Sequence, residues 1–316
     1  LRWENHPSRP SRTPWWPPDR PQRAPNARAS CARSAREGWR VRSRPQPSES
    51  TGPHRRGGAR YRPCEHTPAY DGAVSTHTTL RTGRAWLWAF APYALIAIVH
   101  VITLAAGATD ISGPTKIALM PALFLGVAIA VPKPRDATVA LLLAAITASW
   151  FGDSAGVFFP ALPTVPMMIA FFAIAHLLYI WLFLRHLTVR PLARWSLVYI
   201  AWWALLLIVL WPHLGGLSFA VAAYGIVLGG TAAASTRANR VITWGGVLFL
   251  ASDTLLAFLL FTPQFAPPLT DPAVMLTYTL GQGLIAVGAV RTIRARRIAA
   301  AGAETFAGAG TAAGDA

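Results

Sequence analysis

Two aspartates and a lysine stand inside otherwise apolar stretches of this 316-residue chain: Lys116, Asp153 and Asp253. The same stretches carry His176, Tyr179, Tyr224, Ser252, Tyr278 and Gln282. An ionisable side chain in hydrocarbon costs about 2.5–3.5 kcal/mol on insertion scales, so such groups point to function unless they only pair with one another. Two carboxyl groups brought together away from water do not readily ionise together, and the pair then offers one proton donor and one base. That is the equipment of general acid–base hydrolysis, with Asp153 and Asp253 as the candidate catalytic pair. Lys116 could hold one aspartate ionised or contact a phosphate, and the six polar residues could bind and orient substrate and water. Neither a metal nor an organic cofactor is expected. No His-Glu-x-x-His pair, Walker loop or dinucleotide loop occurs, and both cysteines, Cys31 and Cys64, lie far from these stretches. Covalent serine catalysis is not expected either.

The elements that must position these groups are read from hydropathy. Apolar runs recur at about 85–106, 115–131, 137–158, 166–185, 192–211, 217–233, 241–262 and 273–291. Most approach the ~20 residues that cross about 30 Å of hydrocarbon at 1.5 Å per residue. Pro114, Pro132, Pro134, Pro160, Pro163, Pro191, Pro263 and Pro272 stand at the breaks, where a missing N–H does least harm. The expected fold is therefore all-α, a polytopic bundle of eight transmembrane helices over residues 85–292. Trp86, Trp88, Trp150, Trp211 and Trp244 are assigned as interfacial anchors.

Loop charge gives a topology. Lys133 and Arg135, then Arg185, Arg190 and Arg194, then Arg237 and Arg240, then Arg291, Arg294, Arg296 and Arg297 follow the even-numbered spans. The alternate connections, 107–114, 159–165, 212–216 and 263–272, contain no lysine or arginine. With basic connectors inside, both termini of a multi-pass cell-membrane protein are cytoplasmic. That orientation puts Lys116, Tyr224, Tyr278, Asp153 and Asp253 in the outer half, with His176 and Gln282 about a turn deeper. His176 and Tyr179 share a helix face at i, i+3, as do Tyr278 and Gln282 at i, i+4. Six spans thus offer polar groups to one level, and a single outward-opening cavity is expected.

Charge divides the chain further. Of a net +16, residues 1–84 carry 17 arginines, no lysine and 6 acids, or +11; the rest carries 12 basic and 7 acidic residues, or +5. The total describes neither part, and nucleic acid is not an expected partner. Residues 1–84 show no periodicity and too little apolar surface to offset an ordering entropy of about 1–2 kcal/mol per residue, so they read as disordered. No apolar core follows the charges until Trp86, which excludes a signal peptide in this segment. An arm for RNA or anionic lipid is a second reading of the Arg/Trp mixture. A third is translated GC-rich upstream DNA, with the natural start near Val74; a native peptide from residues 10–60 would overturn it. Residues 293–316 read as a disordered tail.

At the polar positions the chain resembles a known family. Thr115-Lys116-Ile117-Ala118-Leu119-Met120-Pro121, Phe151-Gly152-Asp153, Ala175-His176-Leu177-Leu178-Tyr179, Gly245 through Asp253, and Thr277-Tyr278 with Gln282 look like the YhhN / TMEM86 family of lysoplasmalogenase-like membrane proteins. The likeness covers roughly residues 86–292, and nothing before Ala85 has a counterpart. Gly281 stands where the family often has alanine, a departure that a packed span is expected to tolerate. The resemblance implies hydrolysis of the vinyl-ether bond of a lysoplasmalogen or similar ether lysophospholipid in the bilayer, giving a fatty aldehyde and a glycerophospho-base. It assigns acid and water-activating roles to Asp153 and Asp253 together, and phosphate binding to Lys116.

Other classes use similar residues. A proton-coupled transporter could also place Asp, His and Lys in the membrane, but no repeat links residues 85–190 to 191–291. An intramembrane aspartyl protease shares Gly152-Asp153 but would need Tyr before the second aspartate, where Ser252 stands. A non-catalytic lipid-binding membrane protein is a further alternative.

Overall fold

The computed structural model describes residues 83–131 and 136–312, so the readings of residues 1–82 and of Lys133 and Arg135 lie outside the described residues. Among the described residues every regular element is a helix. A 3-10 segment, Arg84–Phe90, leads into α1 (Ala91–Ala105). Then come α2 (Thr109–Ala130), α3 (Ala137–Asp153), the short α4 (Ala155–Phe158) and α5 (Thr164–Trp181), which runs on as a π-helical turn to His186. The set closes with α6 (Val198–Leu210), α7 (Ser218–Ser235), α8 (Arg240–Phe261) and α9 (Thr270–Ala312). Among the described residues seven helical stretches are long and apolar enough to cross a membrane, and α3, at 17 residues, is a shorter apolar one.

Three boundaries differ from the hydropathy reading for reasons visible in the local structure. Helix α2 starts at Thr109 rather than 115 and contains Pro114 in its second turn. The carbonyl that Pro114 leaves without an amide belongs to exposed Asp110, where solvent can satisfy it. Pro121, deeper in α2, frees the carbonyl of Ile117, and the indole N–H of Trp150 on α3 donates to it at 3.0 Å. Trp150 is thus turned inward and is not the free interfacial anchor expected of it, whereas Trp88 and Trp244 are 79% and 62% exposed. The third span, read as 137–158, breaks at Ser154 beneath aromatic packing that includes Trp150 on Phe158 at 5.0 Å and Phe151 on Phe171 at 5.3 Å. Finally, α9 continues to Ala312, where a disordered tail from residue 293 was expected. The alanine-rich sequence there favours helix and contains no proline to stop it.

The bundle is apolar outside and holds a set of polar side chains within its apolar core. Leu95, Ile98, Ile129, Leu205, Ile208 and Phe219 face outward, while His100, Ser149, His176, Thr231, Asp253 and Gln282 are buried. Such an arrangement suits a hydrocarbon solvent, in which polar groups must find partners inside the protein. The backbones of α8 and α9 approach closely at two glycines. A Cβ on Gly245 would lie 2.8 Å from Gly281 O, and one on Gly281 would lie 2.9 Å from Phe249 N. Neither position has room for alanine, so the tolerance expected at Gly281 is not offered by this packing. The glycine seam sets the register between α8, which carries Asp253, and α9, which carries Tyr278 and Gln282.

At the opposite end, arginines close helix C-termini. Arg294 donates to Ala130 O at the end of α2 (2.9 Å), and Arg296 donates to His186 O and Thr188 O beyond α5. Arg190 donates to Ala238 O just after α7 (2.7 Å). Each supplies a proton and a positive charge where terminal carbonyls lack amide partners. The loop arginines therefore gather at one end of the molecule.

Candidate active site

The polar residues fall into two hydrogen-bonded networks around one phenylalanine. In the first, the Tyr278 hydroxyl on α9 donates to Asp153 Oδ2 at the end of α3 (2.6 Å). One turn further along α9, Gln282 accepts from the Tyr179 hydroxyl at 2.6 Å and donates from Nε2 to Ser149 Oγ at 3.0 Å. Ser149 and Asp153 are i, i+4 on α3, so one face of that helix supplies both. Gly152 keeps this face close to α5, since a Cβ there would strike the Phe172 ring at 2.9 Å.

In the second network, the Tyr224 hydroxyl on α7 donates to Asp253 Oδ2 on α8. His176 on α5 stands beside both, with Nε2 3.2 Å from Tyr224 Oη and 3.6 Å from Asp253 Oδ2. Its Nδ1 faces Thr231 Oγ1 at 3.1 Å. The ring is therefore held from both sides and becomes the counter-ion of Asp253 when protonated. Asp253 is 8% exposed and His176 fully buried.

Phe249, one turn before Asp253 on α8, lies between the networks. Its ring centre is 4.6 Å from that of His176 and 5.4 Å from that of Tyr278. Phe172 packs edge-on against the same ring at 6.5 Å. In place of one open polar cavity, the Phe249 ring stands between the two networks. An apolar groove bounded by α5, α6, α7 and α8 reaches Asp253 and Tyr224, with Ile169, Leu206, Val221 and Leu260 among its walls. Each aspartate has one oxygen, Oδ1, that takes no hydrogen bond from a described residue. Two carboxylates so held, each oriented by a tyrosine and each with a free oxygen, can exchange protons with a guest.

Of the residues singled out from sequence, Asp153, Tyr278, Gln282 and Tyr179 share the first network; Asp253, Tyr224 and His176 share the second. Lys116 is half-buried next to Ile117, the residue bonded by Trp150, and it makes no ion pair among the described residues. Ser252 stands apart, its hydroxyl donated to Val274 O on α9 at 3.1 Å. Ser149, Thr231 and Phe249 escaped the sequence reading, although Ser149 and Phe249 each stand one helical turn before a candidate aspartate. Residues 152–156, Gly-Asp-Ser-Ala-Gly, spell the Gly-x-Ser-x-Gly pattern of serine hydrolases, so the expectation that covalent serine catalysis lacks sequence support was too strict. The pattern's function depends on a strand-to-helix turn and a histidine base. Here it joins α3 to α4, and His176 is engaged with Thr231 and Tyr224. The Ser154 hydroxyl is buried and has no hydrogen-bond partner. No group of three His, Cys, Asp or Glu side chains placed to hold a metal occurs among the described residues.

Membrane-length apolar helices enclosing buried polar side chains define a multi-pass membrane protein. Residues 112–289, more than half of the chain, match the YhhN family, and the chain belongs to it. It is similar to the rat protein called lysoplasmalogenase TMEM86B, at 33% identity over 153 residues, which is 48% of this chain and 62% of that protein. The human lysoplasmalogenase TMEM86B is likewise 33% identical over 175 residues, 55% of this chain and 74% of that protein. The chain therefore spans less than two thirds of the rat relative's length. No solved structure matches it.

Proposed function

We propose that this protein hydrolyses the vinyl-ether bond of lysoplasmalogen-like lysophospholipids within the membrane, releasing a fatty aldehyde and a glycerophospho-base. The observation that carries the reading is the pair of carboxyl groups, Asp153 and Asp253, each held by one tyrosine hydroxyl and each keeping one oxygen free. The names of the rat and human relatives supply the substrate class.

The chemistry needs a proton on carbon first. One carboxyl group, in its acid form, protonates the vinyl carbon remote from oxygen and leaves an oxocarbenium ion. The other takes a proton from water as that water adds to the cationic carbon. The resulting hemiacetal collapses to aldehyde, and the glycerol oxygen leaves with a proton. Two carboxyl groups suffice because the first becomes a carboxylate that stabilises the cation and then takes the hemiacetal O–H proton, while the second, protonated by the water, returns that proton to the leaving glycerol oxygen, so both regain their starting forms. Tyr224 and Tyr278 fix the carboxyl planes; His176, Tyr179, Ser252 and Gln282 hold the surrounding helices and polar groups in register. The apolar groove beside Asp253 takes the hydrocarbon chain, and Lys116 takes the phosphate. Both termini lie on the cytoplasmic side, with the arginine-rich end inward.

The test is aldehyde release by the purified full-length protein from a vinyl-ether lysolipid, set beside its acyl-ester and saturated-ether counterparts. Cleavage confined to the vinyl ether is expected. Release of fatty acid from the acyl ester, with no aldehyde from the vinyl ether, would replace this reading with a lysophospholipase.

A further inference from the structure

The arginine-rich end carries a second polar feature that neither the fold nor the proposed chemistry uses. Between the start of α8 and the distal part of α9 lies an open cleft of about 570 Å³, bordered by Arg240, Arg291, Arg296, Asn239 and Thr292. Among the described residues three guanidinium groups border it and no carboxylate does. Asp136, the acid beside Arg297, is already paired with that residue at 3.5 Å. Asn239 and Thr292 are bonded to each other at 2.8 Å, tying α8 to α9 at this cleft. Arg296 is fixed by the carbonyls of His186 and Thr188 but keeps its charge. The Arg240 and Arg291 side chains are exposed and have no hydrogen bond or ion pair with a described residue.

Topology alone asks only for basic residues on one side of the membrane; it does not ask that three converge on one cleft. Arg190 and Arg294 show what the fold itself needs, since each is spent on a helix-end carbonyl. Arg240 also borders a neighbouring hollow with Trp195 and Trp244, which are 55% and 62% exposed. Exposed tryptophans beside helix-end arginines mark the headgroup layer of a bilayer. An anion drawn to this cleft therefore meets apolar side chains on one flank, as a phospholipid does.

We infer that this cleft binds the headgroup of an anionic membrane phospholipid, with Arg240 and Arg291 contacting the phosphate and Arg296 setting the field. The test is native mass spectrometry of the full-length protein from detergent, with phosphatidylglycerol or phosphatidylcholine of identical chains. Phosphatidylglycerol is expected to remain bound and phosphatidylcholine to be stripped. In R240Q/R291Q the affinity for phosphatidylglycerol should fall roughly thirty-fold, from two lost attractions near the surface. R240K/R291K, which keeps the charge, should retain most of it. Equal retention of the two lipids by the wild-type protein, or undiminished binding in R240Q/R291Q, would overturn the inference. Displacement of phosphatidylglycerol by millimolar inorganic phosphate would overturn the lipid as ligand and leave a soluble-anion site.

Discussion

Arg190, Arg294 and Arg296 point their guanidinium groups at backbone carbonyls of Ala238, Ala130 and His186, whereas Asp153 and Asp253 meet only the side chains of Tyr278, Tyr224 and His176. The first set answers a need that any helix end has, and its partners are part of the fold. The second answers no backbone need. A bundle of this size would be cheaper to insert with apolar residues in place of two carboxylates, so their retention points to chemistry. Substitutions at the arginine end should therefore lower stability and spare activity, and substitutions at the carboxylates should do the reverse.

The largest effect is expected at the acids. Asp153→Asn and Asp253→Asn keep the shape and the tyrosine contact but cannot transfer the proton, and each should lower kcat by about 10²–10⁴-fold with little change in thermal unfolding. An aldehyde-release assay beside a melting curve checks both halves of that statement. Next is the seam that sets the site's register. Gly245→Ala places a methyl 2.8 Å from Gly281 O and 2.9 Å from Ile285 N, and backbone atoms cannot yield as side chains do. It should cost about 1–3 kcal/mol or more and lower the unfolding midpoint in detergent, with activity lost in parallel.

The tyrosines come third. Tyr224→Phe and Tyr278→Phe each remove a hydrogen bond to a carboxyl group, worth about 0.5–3 kcal/mol, and should reduce kcat roughly 10- to 100-fold while leaving KM near its original value. The smallest effect belongs to Arg190→Gln. It gives up bonds to Ala238 O and Thr243 Oγ1 and should cost about 1 kcal/mol of stability, with kcat unchanged. If Arg190→Gln abolished activity while Asp253→Asn left it intact, the contrast between the two ends would collapse.

Much of this architecture was legible in the residues. The spans were, because an apolar run of membrane length has few other uses, and Asp153 and Asp253 were, because a charge in such a run is conspicuous. Less visible were features that depend on a partner helix. That Trp150 would take the carbonyl freed by Pro121 requires knowing that α2 and α3 are neighbours. That Gly281 has no room for a methyl group requires the distance to Phe249. The division of the polar residues into two networks follows from Phe249, a residue that looks like any other core position until the bundle closes around it. The break at Ser154 was hidden because the apolar run continues through it; aromatic packing, not composition, fixes that turn.

The most direct measurement follows a single hydrogen. Purified protein is given a vinyl-ether lysolipid in D₂O, and the aldehyde is trapped as it forms and examined by mass spectrometry. Protonation of carbon by an aspartic acid predicts a single deuterium on the carbon next to the carbonyl, at a rate that collapses in Asp153→Asn and in Asp253→Asn. Aldehyde formed without that deuterium, or formed at the wild-type rate by both asparagine variants, would contradict catalysis by the two carboxyl groups.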